Sequence, residues 1–133
     1  MRRPRPTIQI DGGIRVLDLP WPPSANRYWR HPGKGLHLIS EAGRAYRRAV
    51  SQAVMLQPGP RFPDARLRLV INVHAPDRRR RDLDNLLKAT QDALEHAGVY
   101  GNDSQIDELH VQRAERCPGG VMVVKIFRID GAQ

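Results

Sequence analysis

Residues 67–98 read LRLVINVHAPDRRRRDLDNLLKATQDALEHAG, and two periodicities meet inside this stretch. Leu67, Leu69, Ile71 and Val73 alternate with Arg68, Val70, Asn72 and His74, the period-two pattern of a strand with one buried face. From Asp82 to Ala97 the period changes. Leu83, Leu86, Leu87, Thr90, Leu94 and Ala97 recur at helical spacing, and Gly98 is placed to end the helix.

Outward from this unit the same reasoning assigns the flanks. Upstream, Ala42, Ala45, Tyr46, Ala49, Val50, Ala53 and Val54 form a first helical stripe with Ser40 as its N-cap. Arg44, Arg47 and Arg48 lie off that stripe, and the prolines from Pro58 to Pro63 end the helix. Ile14 to Leu19 reads as a first strand stopped by Pro20, Pro22 and Pro23. SANRYWRHPGKG (24–35) then reads as a polar loop with aromatics. Downstream, residues 106–115 and 121–129 read as two strands joined through Cys117-Pro118-Gly119-Gly120, a hairpin signal. The expected fold is a single α/β (α+β) domain over 14–130, in the order β-α-β-α-β-β. A mixed four-stranded sheet with two helices on one face would bury both stripes. Residues 1–13, rich in arginine and proline with a Gly-Gly pair, read as a flexible basic lead-in.

Composition narrows the function. The 133 residues carry 22 Lys+Arg against 14 Asp+Glu, a formal charge of +8. That balance calls for a polyanionic partner, either nucleic acid or an anionic membrane surface. The membrane option is the weaker, because the basic residues do not share one helix with a broad apolar face. No apolar run approaches the roughly 20 residues needed to span a bilayer, and no secretory signal pattern follows the N-terminus. A single cysteine excludes an intrachain disulfide and a cysteine-based zinc site. A soluble cytoplasmic protein is expected. Only three of the basic residues are lysines (Lys34, Lys88 and Lys125), a bias that a GC-rich genome would also produce. Arginine additionally binds phosphate through two parallel hydrogen bonds and stacks on bases.

The acids are unevenly placed: Asp77, Asp82, Asp84, Asp92, Glu95, Asp103, Asp107 and Glu108 are eight of the 14. An acidic cluster inside a basic chain fits carboxylates that hold a metal beside a bound polyanion. The run Arg78-Arg79-Arg80-Arg81 needs solvent or phosphate around it, and Asp82 and Asp84 follow at the start of a helix. There they can serve as helix caps, which explains one aspartate better than two. They can also serve a hard cation such as Mg²⁺, which takes one or two carboxylates together with phosphate oxygens and water. Asp84, Lys88 and Asp92 stand at i, i+4 and i+8 on one helix face. Spacing alone allows an ion-pair ladder or a lysine aimed at a phosphate. Asn102-Asp103 reads as a turn dipeptide. The five histidines offer no paired ligand spacing, and Asp82-x-Asp84 lacks the glycine and distal glutamate of a calcium loop.

Three stretches, LPWPPSANRYWRH (19–31), PDRRRRDLDNLLKATQDAL (76–94) and GNDSQI (101–106), together resemble the RusA-type Holliday-junction resolvases in order and spacing. The resemblance covers roughly residues 17–128. It implies a homodimeric endodeoxyribonuclease that cuts four-way DNA junctions by symmetric paired nicks in recombination and repair. It further implies a need for Mg²⁺, for which Mn²⁺ can substitute. It assigns metal binding to Asp82, Asp84 and Asp103 and a catalytic role to Lys88. DNA contacts fall to Ser24, Ala25, Asn26 and Arg27, and to Arg78, Arg79, Arg80, Arg81 and Asn85. Two positions depart from the family pattern. Ala25 stands where asparagine is common, and Asn102 where some members carry a second acid. The competing expectation is a junction- or duplex-binding module without catalysis, its carboxylates serving as caps and surface pairs.

Overall fold

The computed structural model describes residues 14–33, 35 and 38–129. The lead-in at 1–13 lies outside them. Its elements in chain order are β1 (Ile14–Pro20), α1 (Ala25–Tyr28), β2 (Trp29–Arg30), β3 (Leu38–Ile39), α2 (Glu41–Leu56), β4 (Arg66–His74) and α3 (Asp84–His96). A 3₁₀ turn (Asp103–Gln105), β5 (Ile106–Arg113) and β6 (Val121–Ile129) complete them. The main sheet runs β1-β6-β4-β5, and β2 with β3 forms a small antiparallel ribbon. The fold is α+β with a four-stranded mixed sheet, as the periodicities require. Among the described residues no helix is long and apolar enough to cross a membrane.

Alternation places the core. Leu17 and Leu19, Leu67, Leu69, Ile71 and Val73, and Met122, Val124 and Ile126 share the face that the helices cover, and all are buried. Tyr46, Val50 and Val54 from α2 meet Leu86, Ala89, Ala93 and Leu94 from α3 above them. Each such aliphatic side chain contributes about 1.5–3 kcal/mol relative to exposure. Ser40 caps α2 as its position suggests, its Oγ accepting from the Gly43 N–H at 2.9 Å. At the other end, the Arg15 guanidinium donates to the carbonyls of Pro60 and Gln57, each at 2.9 Å. Burial lowers its pKa.

Three local expectations are corrected. The last two strands form no hairpin: β6 pairs antiparallel with both β1 and β4, while β5 pairs parallel with the far side of β4. Gly119 and Gly120, at φ +82° and +75°, reverse the chain, but a turn does not choose the neighbouring strand. Burial chooses it. Met122, Val123 and Val124 are buried in succession, which suits an interior strand, whereas β5 is mostly exposed and takes an edge. The loop between them crosses the end of β4, with Ala114 N–H donating to Val73 O and Cys117 N–H to Ala75 O. Second, the stretch read as a polar loop contains a third helix, α1, one turn held by the buried Tyr28. Third, the second long helix begins at Asp84 rather than Asp82, with Leu83 in the N-cap position and no side-chain cap bond.

Gly43 sits where α2 passes closest to α1. A Cβ added there would lie 2.4 Å from Tyr28 O and 2.7 Å from the Ile39 side chain. Gly→Ala inside a helix ordinarily gains about 1 kcal/mol. Here the sign is expected to reverse: Gly43→Ala should cost roughly 1–3 kcal/mol from overpacking, read by urea denaturation. A gain in stability would show that α1 yields freely.

Candidate active site

Three connections converge at the carboxyl ends of β1 and β4: residues 21–24, 75–83 and 114–120. Trp21 packs flat on Gly120, where a Cβ would stand 2.9 Å from the ring. The Arg81 guanidinium covers the indole at 5.3 Å, a cation–π contact. Arg81 also pairs with Asp77 at 2.8 Å, while its carbonyl accepts from Arg113 at 2.8 Å. Asp77 accepts from the Arg79 N–H as well, so one carboxylate shapes the whole arginine loop. The four arginines therefore divide. The Arg81 side chain, 18% exposed, is part of the framework, whereas Arg78, Arg79 and Arg80 face outward.

The loop delivers Asp82 and Asp84 to the start of α3. Both are exposed, and among the described residues neither carboxylate has a hydrogen bond or ion pair. The helix opens instead through backbone bonds from Asn85 to Asp82 O and from Leu86 to Leu83 O. The capping role that would have accounted for one aspartate is thus not taken up.

Lys88, one turn along, is exposed and likewise unpaired among the described residues. No ion-pair ladder forms: Asp84 and Lys88, four residues apart, make no ion pair among the described residues, and Asp92 is engaged elsewhere. Arg47 donates to Asp92 Oδ2 from Nε at 3.0 Å and Nη2 at 2.8 Å, and the Tyr28 hydroxyl donates to the same oxygen. Burial, reinforced by the Asp92 carboxylate, pushes the Tyr28 pKa up, so the phenol stays a donor. Ser40 closes the knot, donating from its backbone N–H to Tyr28 O at 2.9 Å. α1 is thereby fastened to α2 and α3, and Asn26 and Arg27 are left exposed. Ser24 and Ala25 are half-buried at the start of α1.

Asp103 is elsewhere. Its N–H donates to Glu95 Oε1 at 3.1 Å, near the C-terminal end of α3, and neighbouring Ser104 O accepts from Arg66 at the start of β4. At 1.5 Å rise per residue, Glu95 is about 16 Å along the axis from Asp84. Asp82 and Asp84 lie at one end of the domain and Asp103 at the other. In keeping with this, no group of three or more His, Cys, Asp or Glu side chains among the described residues could hold a metal ion. The free pair Asp82 and Asp84 does fit a hard cation that completes its shell with phosphate and water. A groove of about 650 Å³ beside α2 sets Arg44, Arg47 and Arg48 around the apolar side chains of Ile39 and Met55. Sequence reasoning missed Trp21, Tyr28, Arg47 and Asp77 as organisers of this end. Their only signal was a polar residue or aromatic beside each recognisable stretch.

Unengaged carboxylates at a helix start, an unpaired lysine one turn on and exposed arginines around them are groups that metal-assisted phosphodiester chemistry can use. The family model for Endodeoxyribonuclease RusA matches residues 20–126, and the chain belongs to that family. Its relatives are named crossover junction endodeoxyribonuclease RusA. The one from Enterobacteria phage HK97 is 42% identical over 112 residues, covering 84% of this chain and 92% of the relative. Those from Enterobacteria phage 82 and Escherichia coli (strain K12) are 43% and 42% identical over 113 residues, each covering 83% of this chain and 91% of the relative.

Asp77 gives this end a pH signature. Arg81 and the Arg79 N–H hold its carboxyl down at about 2. Because the folded value lies below the unfolded value near 3.9, its contribution is present above pH 4 and disappears as pH falls through about 2. A carbon-detected NMR titration should place the Asp77 midpoint near 2. A midpoint near 3.9 would mean that Arg81 is not tethered.

Proposed function

We propose that this chain resolves four-way DNA junctions in the cytoplasm, during recombination and repair. It would act as a homodimeric endodeoxyribonuclease that makes symmetric paired nicks with Mg²⁺ or Mn²⁺. The observation that carries the reading is the triplet of Asp82, just before α3, and Asp84 and Lys88 on its first two turns, all exposed with no structural partner among the described residues. A binding module would have no use for carboxylates that repel its ligand, and these serve neither as caps nor as surface pairs.

Asp82 and Asp84 would hold the cation, which when bound supplies charge neutralisation on the scissile phosphate and activation of a water. The Lys88 ammonium stands on the same face, one turn from Asp84, and offsets the charge that develops on the phosphoryl oxygens. Arg78, Arg79 and Arg80 clamp flanking phosphates and set position rather than sequence. Arg81 acts one step removed, by holding the loop on Trp21. Ser24, Asn26 and Arg27 supply polar contacts from the α1 segment fixed by the Tyr28 anchor, and Asn85 supplies one from α3 beside Asp84. Asp103 belongs to this set only if a second chain brings it. A two-fold dimer that runs the two α3 helices antiparallel would lay the partner subunit's Asp103 beside Asp82 and Asp84. One site would then face each of two equivalent junction strands.

Mixing two dead variants tests this. Asp82→Asn and Asp103→Asn homodimers should each fail to nick. Exchanged with one another, random pairing restores about a quarter of sites, because one site of each heterodimer keeps both aspartates. No recovery in exchanged mixtures would place Asp103 outside the shared site. Lys88→Ala is expected to leave the melting temperature unchanged and lower the single-turnover nicking rate roughly 10²–10³-fold. Lys88→Arg should rescue poorly, since a planar fork does not replace a compact ammonium. A normal rate in Lys88→Ala would remove Lys88 from the chemistry.

A further inference from the structure

The turn that carries Asp103 leaves none of its own amides free. Gly101 N–H and Asn102 N–H both donate to Gln105 Oε1, at 2.8 and 2.9 Å. The Asp103 N–H donates to Glu95 Oε1 at 3.1 Å, the Ser104 N–H to Asn102 Oδ1 at 2.8 Å and the Gln105 N–H to Asn102 O at 3.0 Å. An aspartate in a turn ordinarily accepts from amides of its own segment. Here other groups hold those amides. The Asp103 carboxylate is exposed, and among the described residues it has no hydrogen bond or ion pair.

Gln105 carries most of this arrangement. It is buried, and its amide is used at every position: Oε1 accepts the two turn N–H groups, and Nε2 donates to Phe62 O at 2.9 Å and Ala65 O at 2.8 Å. One side chain thereby fastens the turn to the segment before β4. The fit is close. A Cβ added at Gly101 would lie 2.6 Å from Pro63 O and 3.2 Å from Gln105 Oε1. Glu95 holds the turn from its other side, out of the last turn of α3. A carboxylate could not replace the Gln105 amide, because it offers no N–H to the two carbonyls.

We propose that Gln105, assisted by Glu95, is the positioning residue of Asp103: it occupies the amides that would otherwise draw the carboxylate in, and leaves that carboxylate to a divalent cation. The inference rests on the reading of Asp103 as a cation ligand and adds the group that prepares it. Gln105 is buried, so it acts through Asp103 and not on the cation itself. With its amide removed, the Gly101 and Asn102 N–H groups lose their acceptor and the turn loses its anchor. Asp103, next in the chain, then has a carboxylate to offer them. A carboxylate engaged in that way must be released before it can bind a metal, and its apparent affinity falls.

The test measures Mn²⁺ binding to the full chain, from the EPR signal of the free ion, beside a melting curve and junction nicking. Asp103→Asn sets the scale for loss of the ligand. Gln105→Met keeps the length of the side chain and removes its hydrogen bonds. It should weaken Mn²⁺ binding roughly 10–100-fold, the usual effect of losing an outer partner of a metal ligand. The Mg²⁺ concentration for half-maximal single-turnover nicking should rise by the same factor, while the rate at saturating Mg²⁺ recovers. Glu95→Ala tests the same turn without opening the core and should weaken Mn²⁺ severalfold. Glu95→Gln removes the charge but keeps an acceptor, and should bind Mn²⁺ as the wild type does. A folded Gln105→Met chain with wild-type Mn²⁺ affinity, where Asp103→Asn loses it, would overturn the inference. So would Glu95→Ala and Glu95→Gln chains that behave alike, a comparison that holds even where Gln105→Met does not fold. Wild-type Mn²⁺ affinity in Asp103→Asn would instead refute the cation reading of Asp103, and the inference with it.

Discussion

Asp92 receives the Tyr28 hydroxyl and the Arg47 guanidinium on one carboxylate oxygen, and much of the molecule is arranged by that contact. It joins the three helices, and it ties α1 to the third turn of α3. Removing the carboxylate would leave a buried phenol and a guanidinium without their acceptor, a cost of about 1–3 kcal/mol. The functional consequence is indirect and larger. With Asp92 engaged, Lys88 loses one of its two acidic neighbours on this helix face, and it forms no ion pair with the other, Asp84. A lysine that would otherwise be neutralised on the surface remains a free cation beside two free carboxylates.

The same division recurs in the arginine loop. Asp77 and Trp21 hold Arg81, which leaves Arg78, Arg79 and Arg80 exposed on a loop of defined shape. A basic run with no internal anchor would be a solvated tether. With one member stacked and paired, its neighbours are presented in a fixed direction, which lowers the ordering cost of gripping a phosphate backbone. Asp77 and Asp92 thus each hold an arginine for framework purposes, whereas Asp82 and Asp84 hold nothing within the chain. The distinction between engaged and unengaged acids lies in their partners, since all four are aspartates within sixteen residues of one another.

Placement of the strands gives the domain a polarity. β6 is apolar on both faces and takes the interior, so β5 is forced to an edge, and the turn before it is carried to the far end of α3. Asp103 follows that turn. The arrangement puts Asp82 and Asp84 at one end of α3 and Asp103 at the other.

Much of this was legible beforehand. Leu67 to Val73 and Leu83 to Ala97 announce a strand and a helix because burial on one face leaves a period of two or 3.6 in the residues themselves. Ser40 announces a helix start because its hydroxyl acts on an amide three residues away, and the arginine run with Asp82, Asp84 and Lys88 announces the chemistry because those groups are adjacent in the chain. Local order determines all of these. The sequence did not determine the sheet neighbours of β6, the helix hidden in SANRY, or which aspartates are free. Those depend on pairs such as Tyr28 with Asp92, Arg47 with Asp92 and Ala114 with Val73, which are far apart along the chain and meet only when the core closes. Tertiary structure alone separated Asp103 from Asp82, because the length of a rigid helix converts eleven residues of sequence into about 16 Å of space.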